Sequence, residues 1–184
     1  MRFTEYLKYT NSSRRITESS SRKVQPKNLL ELRKLIDDTI KKEGYECDLN
    51  FIDVSQIKTM GTLFQDSKFN GDISKWDVSN VEDMESMFFG SVFNGDISKW
   101  DVSNVKFMDH MFAFSKFNQN ISKWNTSKVE NMTSMFENSK FSKDISKWNV
   151  QNAENMENMF DGCPLLNIPE YQPKQKRKYN RKVK

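Results

Sequence analysis

Trp76, Trp100, Trp124 and Trp148 stand 24 residues apart each time, and the text around each is nearly the same. The four copies read FNGDISKWDVSNVEDMESMF, FNGDISKWDVSNVKFMDHMF, FNQNISKWNTSKVENMTSMF and FSKDISKWNVQNAENMENMF. A fixed period in this range means one supersecondary unit stacked on copies of itself, because a single unit cannot bury its own apolar face. Such a stack offers a long regular surface, which suits binding more than chemistry.

The unit from Ile97 to Asn120 has apolar residues at Ile97, Trp100, Val102, Val105, Met108, Met111, Phe112 and Phe117. Ile97-x-x-Trp100-x-Val102 has the spacing that opens a leucine-rich repeat. Trp100 and Val102 alternate, as a short strand requires. Val105, Met108, Met111 and Phe112 then share one face of a helix of two or three turns. Ser103 and Asn104 are placed to cap that helix, and Ser79-x-x-Glu82 has the capping-box form one unit earlier. Phe117 plugs the return loop, and Asn-Gly-Asp marks a turn in the first two full units.

The phase holds in every copy. The opening position is Leu49, Ile73, Ile97, Ile121, Ile145, and the next core position is Ile52 followed by the four tryptophans. Met60, Met84, Met108, Met132, Met156 and Phe64, Phe88, Phe112, Phe136, Phe160 continue the pattern. The expected fold is an α/β repeat solenoid, leucine-rich-repeat-like, with about five 24-residue strand–helix coils and an N-terminal capping helix. Paired strands lie about 4.8 Å apart and packed helices about 8–10 Å. The stack should therefore curve, with strands on its inner face. That face would present Lys75, Lys99, Lys123 and Lys147 beside Asp77, Asp101, Asn125 and Asn149.

Asn28 to Gly44 reads as one amphipathic helix carrying Leu29, Leu32, Leu35, Ile36 and Ile40, with Asn28 and Glu31 as cap and Gly44 as stop. The chain thus divides into a basic Ser/Arg-rich segment (1–25), expected to lack structure in isolation, and the capping helix with its lead-in (26–47). The repeat array (48–169) and a basic tail (170–184) follow. Residues 1–43 carry 11 Lys+Arg against 6 Asp+Glu, residues 44–169 carry 11 against 18, and residues 170–184 carry 7 against 1. An acidic body sits between two basic ends. Cys47 and Cys163 flank the array and are expected as free thiols of a reducing compartment. No apolar run approaches a membrane span, and no secretory leader is legible. The expected location is cytoplasm or virion.

The string F-N-x-D-I-S-x-W-D-V-S-N-V-x-x-M-x-x-M-F resembles the BspA-like leucine-rich repeat family, specifically its Mycoplasma-type domain of unknown function 285. The lead-in Asp48-Leu49-Asn50-Phe51-Ile52-Asp53-Val54-Ser55 is similar to the usual start of that array, and the likeness covers about residues 26–165. The resemblance implies a repeat scaffold with no known active site, in bacterial surface proteins and in phage and mobile-element genomes, with adhesion and protein binding as suggested roles.

Residues for chemistry are sparse. His110 is the single histidine, read as an exposed helix residue off the apolar stripe. A general base would need a nucleophile and an orienting partner, and no repeat supplies them. One histidine and two distant cysteines do not make a zinc pattern. Asp72 and Asp96 recur beside glycines, but Asn120 replaces the acid in the next copy, so holding a turn is the better reading than calcium. The Met and Trp columns match the core phase. No enzyme activity, metal or cofactor is expected. Two surfaces remain as partner-binding candidates. One is the Lys/Asp face. The other is the basic tail of Lys174, Lys176, Arg177, Lys178, Arg181, Lys182 and Lys184, which also suits nucleic acid. The expected function is a non-catalytic scaffold for protein–protein interaction, intracellular or phage-encoded. The alternatives are a virion-associated protein whose basic ends dock on capsid or nucleic acid, and a bacterial surface adhesin module.

Overall fold

The structure, a computed structural model, describes residues 23–174. The expectations for residues 1–22, and for the tail cations beyond Lys174, lie outside the described residues. The helix α1 spans Leu29–Glu43. Asn28 Oδ1 accepts from the Glu31 amide at 3.0 Å, Glu31 reaches back to the Lys27 amide at 2.9 Å, and Gly44 ends the helix at φ 89°. Leu32, Ile36 and Thr39 are buried, while Leu29, Leu35 and Ile40 are half-buried against the same core. Two short 3-10 helices, Pro164–Asn167 and Pro169–Tyr171, follow the last repeat.

The strand and helix expected in every unit do not form among the described residues; each unit combines four-residue turns with stretches that are neither turn nor helix, such as 115–120. In the third unit the amides of Trp100, Val105, Met111 and Ser115 donate to the carbonyls of Ile97, Val102, Met108 and Phe112 at 3.0–3.2 Å. His110 and Phe114, third residues of the last two turns, have φ of 56° and 57°. That is the type II pattern, in which the third residue is left-handed. The same position is left-handed at Thr62, Asp66, Ser86, Gly90, Ser134, Asn138, Asn158 and Gly162.

The reason is where the amides go. A helix consumes its N–H groups internally. Here Met84, Ser86, Phe88 and Gly90 donate to the carbonyls of Phe107, Asp109, Met111 and Ala113 in the next unit at 2.9 Å. The following unit repeats this, Met108, His110, Phe112 and Phe114 donating to Asn131, Thr133, Met135 and Glu137 at 2.7–2.9 Å. Parallel bridges Thr59–Asp83, Asp83–Phe107, Phe107–Asn131 and Asn131–Asn155 keep a 24-residue register. The apolar spacing of three, three and one fits two consecutive turns as well as a helix, since the end residues of each turn point inward. Ser103, expected as a helix cap, instead holds a turn through its amide on Asp101 Oδ1 at 3.0 Å. With no helix in the repeats among the described residues, the expected mismatch between strand and helix spacing does not arise.

Backbone pairing at about 4.8 Å lets identical side chains stack in columns. Phe64, Phe88, Phe112, Phe136 and Phe160 form one, with successive centroids 5.5, 5.6, 5.8 and 6.2 Å apart and planes within 6°. Phe69, Phe93, Phe117 and Phe141 form a second, at 6.1–6.3 Å. All four tryptophans are 4 % exposed. Each indole N–H donates to the carbonyl of the preceding unit's opening residue, Leu49, Ile73, Ile97 or Ile121, at 3.0–3.2 Å.

The stack is closed at its start by α1. In segment 59–66 and its counterparts one unit's amides donate to the next unit's carbonyls, as Thr62 does to Glu85, so the Gly61 carbonyl at the matching position of the first unit has no preceding unit to donate to it. Arg33 substitutes: its guanidinium donates to Gly61 O at 2.7 Å, Thr62 O at 3.0 Å and Thr62 Oγ1 at 2.7 Å. Val24 pairs beside Ile52 and extends the register by one residue before the helix.

Candidate binding surface

Lys75, Lys99, Lys123 and Lys147 are all exposed and occupy one register position. None of them is in an ion pair among the described residues. Each is the third residue of a turn closed by the following tryptophan amide. The backbone therefore fixes where the column starts, and stacking sets its rise to about 5 Å per unit.

The neighbouring column has a different character. Asp77, Asp101, Asn125 and Asn149 are exposed, yet each turns its Oδ1 back to the amide two residues on, at Ser79, Ser103, Ser127 and Gln151, over 3.0–3.2 Å. Asp and Asn interchange there because the turn needs only an acceptor oxygen. The column is framework first, and the lysines, none of them in an ion pair among the described residues, lie close enough to Asp72, Asp96 and Asp144 for Lys75, Lys99 and Lys147 to help lower those carboxyls. Asp72, Asp96, Asn120 and Asp144 do the same for Ser74, Ser98, Ser122 and Ser146 at 2.8–3.0 Å. The hydroxyl and amide of Ser98 hold the Asp96 carboxyl below its usual range, and Ser103 does so for Asp101. At Asp72 and Asp144 the serine amide leads.

Lys174, the first cation of the basic tail, is exposed. Lys176, Arg177, Lys178, Arg181, Lys182 and Lys184 lie outside the described residues. His110 is not on a helix; it is the left-handed residue of a turn, with Nδ1 3.8 Å from Asp109 Oδ2 and its side chain 39 % exposed. Cys47 and Cys163 are free and buried. Burial pushes both thiols up, with the Glu43 carboxylate adding to the effect at Cys47. Among the described residues no three His, Cys, Asp or Glu side chains cluster as metal ligands, and no helix is long and apolar enough to cross a membrane.

Sequence reading missed an aromatic patch. Phe107 and Phe114 are 41 % and 52 % exposed, and Phe89 lies 5.4 Å from Phe114. The signal was present as breaks in polar columns: Phe107 stands where other units have Thr59, Asp83, Asn131 and Asn155.

A protein-family model described as Mycoplasma protein of unknown function, DUF285, matches residues 32–116 and again residues 113–181. No curated protein and no solved structure matches the chain.

Proposed function

The chain belongs to this family, and we propose that it is a non-catalytic repeat solenoid of the BspA-like leucine-rich-repeat kind that binds a partner protein. The observation that carries the reading is the column of Lys75, Lys99, Lys123 and Lys147, exposed, unpaired among the described residues and held in register by the backbone. Four ammonium groups at one spacing repel one another, and an acidic surface of matching period relieves that repulsion. The partner is accordingly an acidic protein segment or face.

The test is capture and identification of a partner with the wild-type protein, followed by affinity measurement against Lys99→Glu/Lys123→Glu. The double variant is expected to melt like wild type and to lose binding. Wild-type binding should weaken between 0.05 and 0.3 M salt, because exposed charges are screened over about 8–10 Å near 0.1–0.15 M. A partner that binds both proteins equally, with no salt dependence, counts against the lysine column. Displacement of the partner by duplex DNA would favour a nucleic-acid role instead.

A further inference from the structure

The type II turns build a second face, opposite in charge to the lysine column. Its outward positions lie in segments 59–66, 83–90, 107–114, 131–138 and 155–162, whose inward residues are the buried methionines and phenylalanines. Those five segments hold seven carboxylates and neither lysine nor arginine. The polar columns break in two adjacent units, where Phe89, Phe107 and Phe114 replace the polar or small residues of the other copies. Phe114 packs against Phe89 of the preceding unit, 5.4 Å between ring centres, and yet stays half-exposed. Its φ of 57° falls where sister units carry Asp66, Gly90, Asn138 and Gly162. A bulky side chain held in that backbone region, half-exposed, is an outlier that points toward use. Asp83 pairs backbone-to-backbone with Phe107, and Asp109 lies between Phe107 and Phe114 in sequence, so carboxylates border the rings. At the start of the face the chain already seats a cation of its own, Arg33 on Gly61 and Thr62.

We propose that this face docks a cationic peptide segment of a partner protein, its aliphatic or aromatic side chains on Phe89, Phe107 and Phe114 and its Lys or Arg side chains on the flanking carboxylates. Charge complementarity selects the occupant: turn segments that carry carboxylates and no lysine or arginine, with Lys106 beside Phe107 already paired to Glu82, reject acidic segments and favour alternating basic and apolar ones. The proposal is independent of the lysine column, and either surface stands if the other fails.

The test uses the full chain and a fluorescent twelve-residue peptide of alternating arginine and leucine. Controls replace arginine by glutamate or leucine by serine. The variants borrow residues already present at the same positions in other units, so the backbone can accept them. Phe89→Glu/Phe107→Asn/Phe114→Asn removes the rings, and Asp83→Asn/Glu85→Thr/Asp109→Thr removes carboxylates. The arginine–leucine peptide should bind the wild type, and each variant should bind it at least about tenfold more weakly, the loss expected for central anchors. The serine control should bind weakly and the glutamate control not at all. Equal binding by wild type and the ring variant, or equal binding of the glutamate peptide, overturns the proposal. A wild-type dimer that dissociates in the ring variant would assign the face to a second copy. Peptide binding that emerges only on deleting residues 175–184 would assign it to the chain's own basic end. Either result overturns the partner assignment.

Discussion

Trp100→Ala strikes the stack at its middle. The indole is 4 % exposed, lies 6.4 Å from Trp76 with planes 4° apart, and meets Phe88 at 6.4 Å. Its Nε1 also donates to the Ile73 carbonyl at 3.2 Å. Truncating a large aromatic in a core costs about 3–5 kcal/mol, and the hole here opens against the preceding unit. The bare carbonyl contributes part of that loss, about 1 kcal/mol. For a chain of this size each kcal/mol lowers the melting temperature by roughly 2–4 °C, so the expected drop is roughly 6–20 °C. Trp100→Phe keeps a ring and loses mainly the hydrogen bond, so a fall of about 1–2 kcal/mol is expected. The assay is thermal and urea unfolding followed by fluorescence of the remaining tryptophans. An unchanged midpoint in Trp100→Ala, or native emission typical of water-exposed indole in the wild type, refutes the stacked-indole argument.

Arg33→Met should cost about 1.5–3 kcal/mol through lost charged hydrogen bonds at the first unit, and amide exchange in α1 should accelerate before that of the middle units. Phe112→Ala should cost about 3–5 kcal/mol, whereas Phe114→Asn two residues on should stay within about 1 kcal/mol of wild type. The second change removes a side chain that strains a left-handed backbone by about 1–2 kcal/mol; melting both variants side by side checks the contrast. Asp53, Asp72, Asp96, Asp101 and Asp144 have carboxyls lowered by serine hydrogen bonds. A lowered folded pKa stabilises the fold above the unfolded value of about 3.9 and loses that contribution as pH falls through the folded values. Stability should thus be level from about pH 7 to 5 and decline below about pH 4. Replacing the five by Asn, as Asn120 and Asn125 already do, should flatten that decline in pH-dependent urea titrations.

Much of the architecture was legible because the period repeats the physics. Twenty-four-residue columns of Ile, Trp, Met and Phe identify the inward positions whatever the local backbone does. Helix α1 was legible too, since its cap, its apolar face and its glycine stop are all local signals. The local conformation of the units was not. Met108, Met111 and Phe112 satisfy a helix and a pair of turns alike, and only the destination of the amides, 23 residues on, separates the two. Arg33 was invisible for a related reason: its acceptors are backbone atoms some 28 residues away. At the candidate surface the lysine column could be read directly, because exposed charges recur in phase. The framework role of Asp77 and Asp101 needed the Asx-turn geometry, and Phe107 and Phe114, outside the repeating apolar phase, were told from core residues only by their exposure.

The most direct measurement is the scalar coupling that nuclear magnetic resonance detects across hydrogen bonds in isotope-labelled protein. The stacked turns should give a coupling from the Phe88 amide nitrogen to the Met111 carbonyl carbon and from Phe112 to Met135, each bond being 2.9 Å long. Couplings from Phe88 to Met84 and from Phe112 to Met108, the pattern of a helix in every unit, would contradict the stacked turns.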